Sequence, residues 1–266
     1  MRKKIASITA IIAFMLFGFT TYAQSRIGVG DVYFYYSKSK TFQSVYNNHF
    51  NTQGTTTSII DFYTRNEEFL VIDRQNLKII NDEKELQKSE DFMDGYIIQQ
   101  GKSEGMDYFC YGRYDLSKKE LSIVIVDIKK ESMIGTASRV LEQNFFGLKD
   151  FDKTLLSMLL ELNNTCFDLP ITVVRTTKTK GNKAKELLVA AGKNQKMSDD
   201  FEFEIYEKVE EKVGNKTMLR ENTIGKAKIT SVSDENFCIM EVTSGDEEIM
   251  SALTNKSGVF AKLLID

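Results

Sequence analysis

Residues 121–128, LSIVIVDI, constrain the fold more than any other stretch of the chain. Successive side chains of an extended strand point to opposite faces, so Leu121, Ile123 and Ile125 take one face and Val124, Val126 and Ile128 the other. A strand that is apolar on both faces belongs inside a sheet covered on both sides. The β-like runs beside it, DYFCYGRYD (107–115) and SMIGTASRVL (132–141), are set off by short polar gaps that suit antiparallel hairpins. A three-strand meander follows from the spacing, with residues 121–128 in the middle.

Upstream, IGVGDVYFYY (27–36) is rich in β-branched and aromatic residues and is expected as a strand. Its Gly28-x-Gly30 lacks the third glycine and the immediate helix of a dinucleotide fingerprint, so close backbone packing is the better reading. Residues 37–54 are polar and expected as a loop with one short helix. Residues 55–58 offer an N-cap for a helix carrying Ile59, Ile60, Phe62 and Tyr63. FLVID (69–73) is expected as a second strand, and Leu77, Ile79, Ile80 and Leu86 as a second short helix. After the meander, Phe151, Leu155, Leu159, Leu162 and Cys166 recur at three- and four-residue intervals, which predicts a helix from about Asp150 with one apolar stripe. This order defines an α+β domain: a mixed sheet with flanking helices, two crossovers and an antiparallel end.

FLVIDRQNL, the acidic helix with Asp82, Glu83 and Glu85, MDYFCYGRYD and LSIVIVDIKK together resemble the CsgG-type superfamily, over roughly residues 27–165. That group includes the curli-export channel, LpoB-like activators of penicillin-binding proteins and the amino-terminal domain of TolB. The resemblance implies a CsgG/TolB-N-like sheet domain in which Asp73, Arg74 and Gly112 are architectural. Arg74, directly after a strand, is expected to bond strand-end carbonyls or pair with a carboxylate such as Asp115.

Beyond Pro170 the period changes. ITVVRTTK and AKELLVAAG flank the turn pair Gly181-Asn182, and FEFEIYEKV alternates, with Phe201, Phe203, Ile205 and Val209 expected inward and Glu202, Glu204 and Lys208 outward. AKELLVAAG is read as a strand although its residues favour helix. IGKAKITSV and NFCIMEV follow, separated by Ser233-Asp234-Glu235. Five or so short strands with close turns predict a small antiparallel barrel, and LLVAAGKNQKMSDDFEFEIY resembles the carboxy-terminal barrel of FlgT. The expected domains are therefore 24–167 (CsgG-like, α+β) and 168–266 (barrel-like), after a signal peptide at 1–23.

That signal is read from Arg2, Lys3 and Lys4, the apolar run from Ile5 to Phe19 and small residues up to Ala23, where cleavage is expected. The apolar run is short for a bilayer span. No Cys stands at the cleavage point to take an acyl anchor. The expected product is periplasmic, without a membrane span. Removing residues 1–23 takes away three positive charges and no acid, moving the formal charge from −3 to −6. Such a field does not suit nucleic acid.

Catalytic constellations are poorly supplied. Ser37-x-x-Lys40 with Lys256-Ser257-Gly258 imitates two penicillin-recognising motifs, but Ser37 ends a strand in a polar loop and no Ser-x-Asn element fits. The lone His49 sits in Asn-Asn-His-Phe without a nucleophile elbow. Asp61, Asp73 and Asp127 are ordinary strand-end and helix-face carboxylates, not an evident cation site or glycosidase pair. Cys110, Cys166 and Cys238 lack framework or C-x-x-C spacing, and buried thiols are expected, although one bridge remains open. The acidic stretch 199–211 lacks the oxygen spacing and glycine of a calcium loop.

The expectation is thus a protein that is not an enzyme, with no cofactor and no metal. It would bind other envelope proteins in secretion, assembly or surface-structure biogenesis; a homo-oligomer is compatible with this. A curli-type channel subunit and an activator of a cell-wall synthase are the alternatives. Arg175, Lys178, Lys180, Lys183 and Lys185, around the Gly181-Asn182 turn, are the candidate contact residues for an anionic partner.

Overall fold

The computed structural model describes residues 24–36, 41–43, 52–72, 97–99, 101–141, 148–214, 216–255 and 258–265. The expected signal peptide, Ser37, Lys40, His49, Asp73, Arg74, the helix around Leu77–Leu86, Lys256 and Ser257 lie outside them. The fold is α+β: a mixed six-stranded sheet with helices, followed by a closed antiparallel barrel of six strands.

The sheet is built from β1 (Ser25–Tyr36), β2 (Thr41–Gln43), β3 (Phe69–Ile72), β4 (Tyr108–Asp115), β5 (Glu120–Asp127) and β6 (Ser132–Val140). Its order is β2-β1-β4-β5-β6, with β3 pairing the start of β1. β1 runs parallel to β3 and β4, as crossovers require, and β4, β5 and β6 form the antiparallel meander. β5 lies between β4 and β6 as its two apolar faces demand. Leu121, Ile123 and Ile125 enter the main core, while Val124, Val126 and Ile128 enter a second cluster with Ile97, Met106, Phe109 and Tyr111.

Gly112 of β4 faces Val32 of β1 and Ile123 of β5. A Cβ at this position would lie 2.7 Å from Val32 Cγ2, so the close approach of the two strands needs a glycine there. β1 bulges between Val29 and Val32, and Thr56 Oγ1 accepts the Val32 N–H at 3.2 Å.

Thr56 belongs to helix α1 (Thr52–Thr64). The helix starts before the expected cap at residues 55–58; Thr55 and Thr56 are buried in it. Thr56 Oγ1 donates to the Thr52 carbonyl at 3.0 Å, so the hydroxyl that the sequence offers as a cap serves the bulge of β1 instead.

Helix α2 (Leu148–Phe167) carries the predicted stripe: Leu155, Leu159 and Leu162 are buried, with Phe151 and Cys166 partly so. α2 packs on β5 and β6 of the sheet and on a barrel strand, and one hydrophobic cluster runs through it from Ile27 to Leu263.

The barrel consists of β7 (Ile171–Lys180), β8 (Lys183–Val189), β9 (Glu202–Val213), β10 (Lys216–Val232), β11 (Cys238–Ser244) and β12 (Val259–Leu263), ordered β10-β11-β8-β7-β12-β9 and closed by the β9–β10 pairing. β8 is a strand despite its helix-forming residues, because Ala184, Leu187 and Val189 find a buried interior between β7 and β11. Phe203 and Ile205 point inward as expected. Val209 is only half-buried, because there β9 has passed the last residue paired with β12. Tyr206, on the other face, is buried against Phe260, ring centroids 5.6 Å apart, and accepts a long bond from Asn164 of α2 at 3.4 Å.

Candidate functional site

Strand directions place the exposed features of the barrel at one end. β12 is antiparallel to both β7 and β9, so β7 and β9 run the same way and their turns lie together. β11, antiparallel to β8 and β10, also ends there and leads into helix α3 (Asp246–Thr254), which buries Ile249 and Ala252. Two hairpins leave this end. Gly181 at φ 60° and Gly214 at φ 62° make their turns, and a side chain added at either would meet nothing within 4 Å. Both tips stand in open solvent.

The first hairpin, β7–β8, carries the five predicted cations. Register shifts after Val173, Thr176 and Lys178 interrupt its alternation and bend it. Lys178 pairs with Glu186 at 3.1 Å, Lys183 with Glu247 at 3.0 Å and Asp246 at 3.6 Å, and Lys185 with Asp246 at 2.6 Å. The Lys185 hydrogen bond, aided by Lys183, holds the Asp246 carboxyl below its ordinary range, and the Glu247 bond with Asp246 nearby raises Lys183. The first turn of α3, with Asp246, Glu247 and Glu248, thus tethers β8 to the barrel mouth. Arg175 and Lys180 have no acidic partner among the described residues; Arg175 makes only a long bond, 3.5 Å, to the neighbouring Thr176 carbonyl.

The second hairpin is longer. β9 and β10 stay paired from Glu202↔Lys228 out to Val213↔Lys216, whereas β12 leaves β9 at Glu207 and β11 leaves β10 at Lys226. Past those points it is a two-stranded ribbon with no strand on either edge among the described residues. Val213, Met218 and Leu219 on it are 60%, 56% and 67% exposed. One face continues the barrel interior and sets Met218 opposite Glu211 and Arg220 opposite Val209; the other sets Leu219 opposite Glu210. Arg220 donates to Glu211 at 2.6 Å and Asn222 to Glu207 at 3.2 Å, so the ribbon carries its own polar ladder.

The remaining sequence candidates are dispersed. Asp61 of α1 binds Arg65 at 2.7 Å and Lys196 at 2.9 Å; burial works against its charge, but these two cations hold its carboxyl below the usual range. Asp127 closes the β5–β6 turn through Lys130. Asp115, the expected partner of Arg74, accepts the Ser117 and Lys118 N–H groups at 2.8 and 3.3 Å. All three cysteines are thiols. Burial pushes the Cys238 thiol up to about 12 and raises Cys110 and Cys166 as well. Among the described residues no group of three or more His, Cys, Asp or Glu side chains could hold a metal ion, and no helix is long and apolar enough to cross a membrane. A cleft of about 500 Å³ lies beside α2, floored by Leu155, Leu156, Leu159 and Phe201 and rimmed by Asp150, Asp199 and Asp200.

Fold and site together define a class: a sheet domain joined through a shared helix to a closed barrel that presents two hairpins from one end. The chain matches no protein-family model and no curated protein. Among solved structures it is similar to the LpoB C-terminal domain from Salmonella enterica, at 14% identity over 50% of this chain and 93% of that one, TM-score 0.34. The corresponding Escherichia coli domain gives 15% identity over 50% and 94%, TM-score 0.33. TolB from Acinetobacter baumannii gives 11% identity over 84% of this chain, which spans 48% of that protein, TM-score 0.35.

Proposed function

We propose that this chain is an exported, non-catalytic accessory protein of the cell envelope that grips another envelope protein at the two-hairpin end of its barrel. The observation that carries the reading is the β9–β10 ribbon, which keeps its pairing beyond the barrel while exposing Val213, Met218 and Leu219 to solvent. A two-stranded ribbon with open edges and apolar side chains offers main-chain hydrogen bonds and contact area to a partner strand. Arg175 and Lys180 on the neighbouring hairpin add uncompensated positive charge for an anionic surface. The periplasmic destination follows from the expected signal at residues 1–23, and residues 24–167 and 168–266 are proposed as its two domains.

Photo-crosslinkers at Lys180 and Val213 in the producing cell, with a control at Leu70 on β3, test this reading. The expected result is one discrete envelope protein captured from both hairpin positions and not from Leu70. Capture of the same protein from Leu70, or recovery of the chain from the cytoplasmic fraction, overturns it.

A further inference from the structure

We propose that two copies of this chain associate through the outer edge of β10, pairing Lys216–Asn222 antiparallel with the same segment of the second copy about a two-fold axis at Leu219. The inference goes beyond the reading above and does not rest on it: the second copy takes the β10 edge and leaves Val213, the outer β9 edge and the β7–β8 hairpin to the envelope partner.

The edge is available. β10 pairs with β9 throughout its outer half, but its other side meets β11 only from Lys226 inward. Among the described residues nothing else pairs with residues 216–222 on that side, so their outward N–H and C=O groups form a template for another strand. A two-stranded ribbon is marginal in water, and a second ribbon alongside makes it four-stranded.

Charge complementarity selects the occupant. A two-fold axis perpendicular to the ribbon keeps the same face up in both copies, so residues that oppose each other share a face. Centred on Leu219, the register sets Leu219 on Leu219, Met218 on Arg220, Thr217 on Glu221 and Lys216 on Asn222. No like charges are opposed, and the most exposed apolar side chain of the ribbon is covered by its own copy. Arg220 is already held by Glu211 of its own ribbon, which damps repulsion along the diagonal. Centring on Met218 sets Lys216 against Arg220, and centring on Arg220 or Glu221 sets a charge against itself.

The free edge of β9 fails the same examination. Centred on Val209 it opposes Glu207 to Glu211; centred on Glu210 it opposes Lys208 to Lys212; centred on Lys208, Glu211 or Lys212 it opposes a charge to itself. Like charges directly opposite destabilise a strand pair. Every register centred on residues 208–212 of the β9 edge thus opposes like charges and the Leu219 register of the β10 edge does not, which favours a closed dimer over a growing sheet.

Sedimentation equilibrium on the full chain as recovered from the cell tests the proposal, with Leu219→Glu, Leu219→Lys and the control Leu70→Glu. The wild type and Leu70→Glu are expected as dimers. Either Leu219 variant alone places like charges on the axis and should weaken association on the order of tenfold or more. An equimolar mixture of the two variants should dimerise again, because opposite charges then meet there. Unchanged circular dichroism of the variants excludes misfolding as the cause. A wild type that stays monomeric at all attainable concentrations, variants that dimerise like the wild type, or a mixture that stays monomeric overturns the proposal. Photo-crosslinking from Lys180 reads the partner hypothesis separately, so either idea can fail without the other.

Discussion

The sulfur of Cys166, at the end of α2, occupies the space that a side chain on Gly135 of β6 would need. Leu162 Cδ2 stands 3.3 Å from the same point, so the helix seats two side chains in the gap left by one missing Cβ. Gly135→Ala should push α2 away from the sheet and cost about 1–3 kcal/mol. Denaturant unfolding measures this; a variant as stable as the wild type would show that the helix shifts freely.

Asp127 gives the sheet domain a pH-dependent stability. Burial alone would raise its carboxyl, but the Lys130 N–H, at 2.9 Å, and the Lys130 ammonium, at 3.1 Å, outweigh it and hold the carboxyl below the ordinary range. A lowered native value contributes stability that is present above the unfolded value of about 3.9 and is lost as pH falls through the native one. Asp127→Asn should therefore cost about 1–2 kcal/mol at pH 7. The deficit relative to wild type should shrink below about pH 4. Stability profiles of both proteins between neutral and acid pH check it.

One hydrophobic cluster passes through α2 from sheet to barrel, so the two units are expected to unfold together. Leu159→Ala, at the middle of the buried stripe, should cost about 2–5 kcal/mol and lower a single transition. With no Trp in the chain, near-ultraviolet tyrosine signal and far-ultraviolet circular dichroism are the probes to compare. Two separated transitions would mean that α2 belongs to one unit alone.

Asp246 sets how much positive charge the first hairpin shows. It engages Lys183 and Lys185 together. Asp246→Asn should release both, so retention on a polyanionic resin should move to higher salt. Arg175→Gln with Lys180→Gln should move it to lower salt, and Lys178→Gln should do the same because it uncovers the Glu186 carboxylate.

How far the fold was legible depended on whether an element answers to itself or to a distant neighbour. β5 announces itself through two apolar faces, and α2 through its stripe; both lie where the pattern puts them. The outer half of β10, KTMLREN, has solvent on both faces and no apolar period, so the strand was expected only from Ile224 onward; the exposed Met218 and Leu219 were the available signal. α3 and β12 carry no sequence signal of their own because they are short and buried by context: Ile249, Val259 and Ala261 matter only once the barrel exists. The five cations are visible as a cluster, but Lys183 and Lys185 are neutralised from α3, some 60 positions further along the chain, a distance that spacing does not reveal.

β12 closes the barrel between β7 and β9, and its Ala261 pairs with Ile171, about 90 positions earlier. Contacts of such separation form late, because the loop between them must be ordered first. Until then β7 and β9 would lack the strand that joins them, leaving the barrel an open, curled sheet. β12 therefore works as the latch of the barrel, because among the described residues it alone bridges β7 and β9.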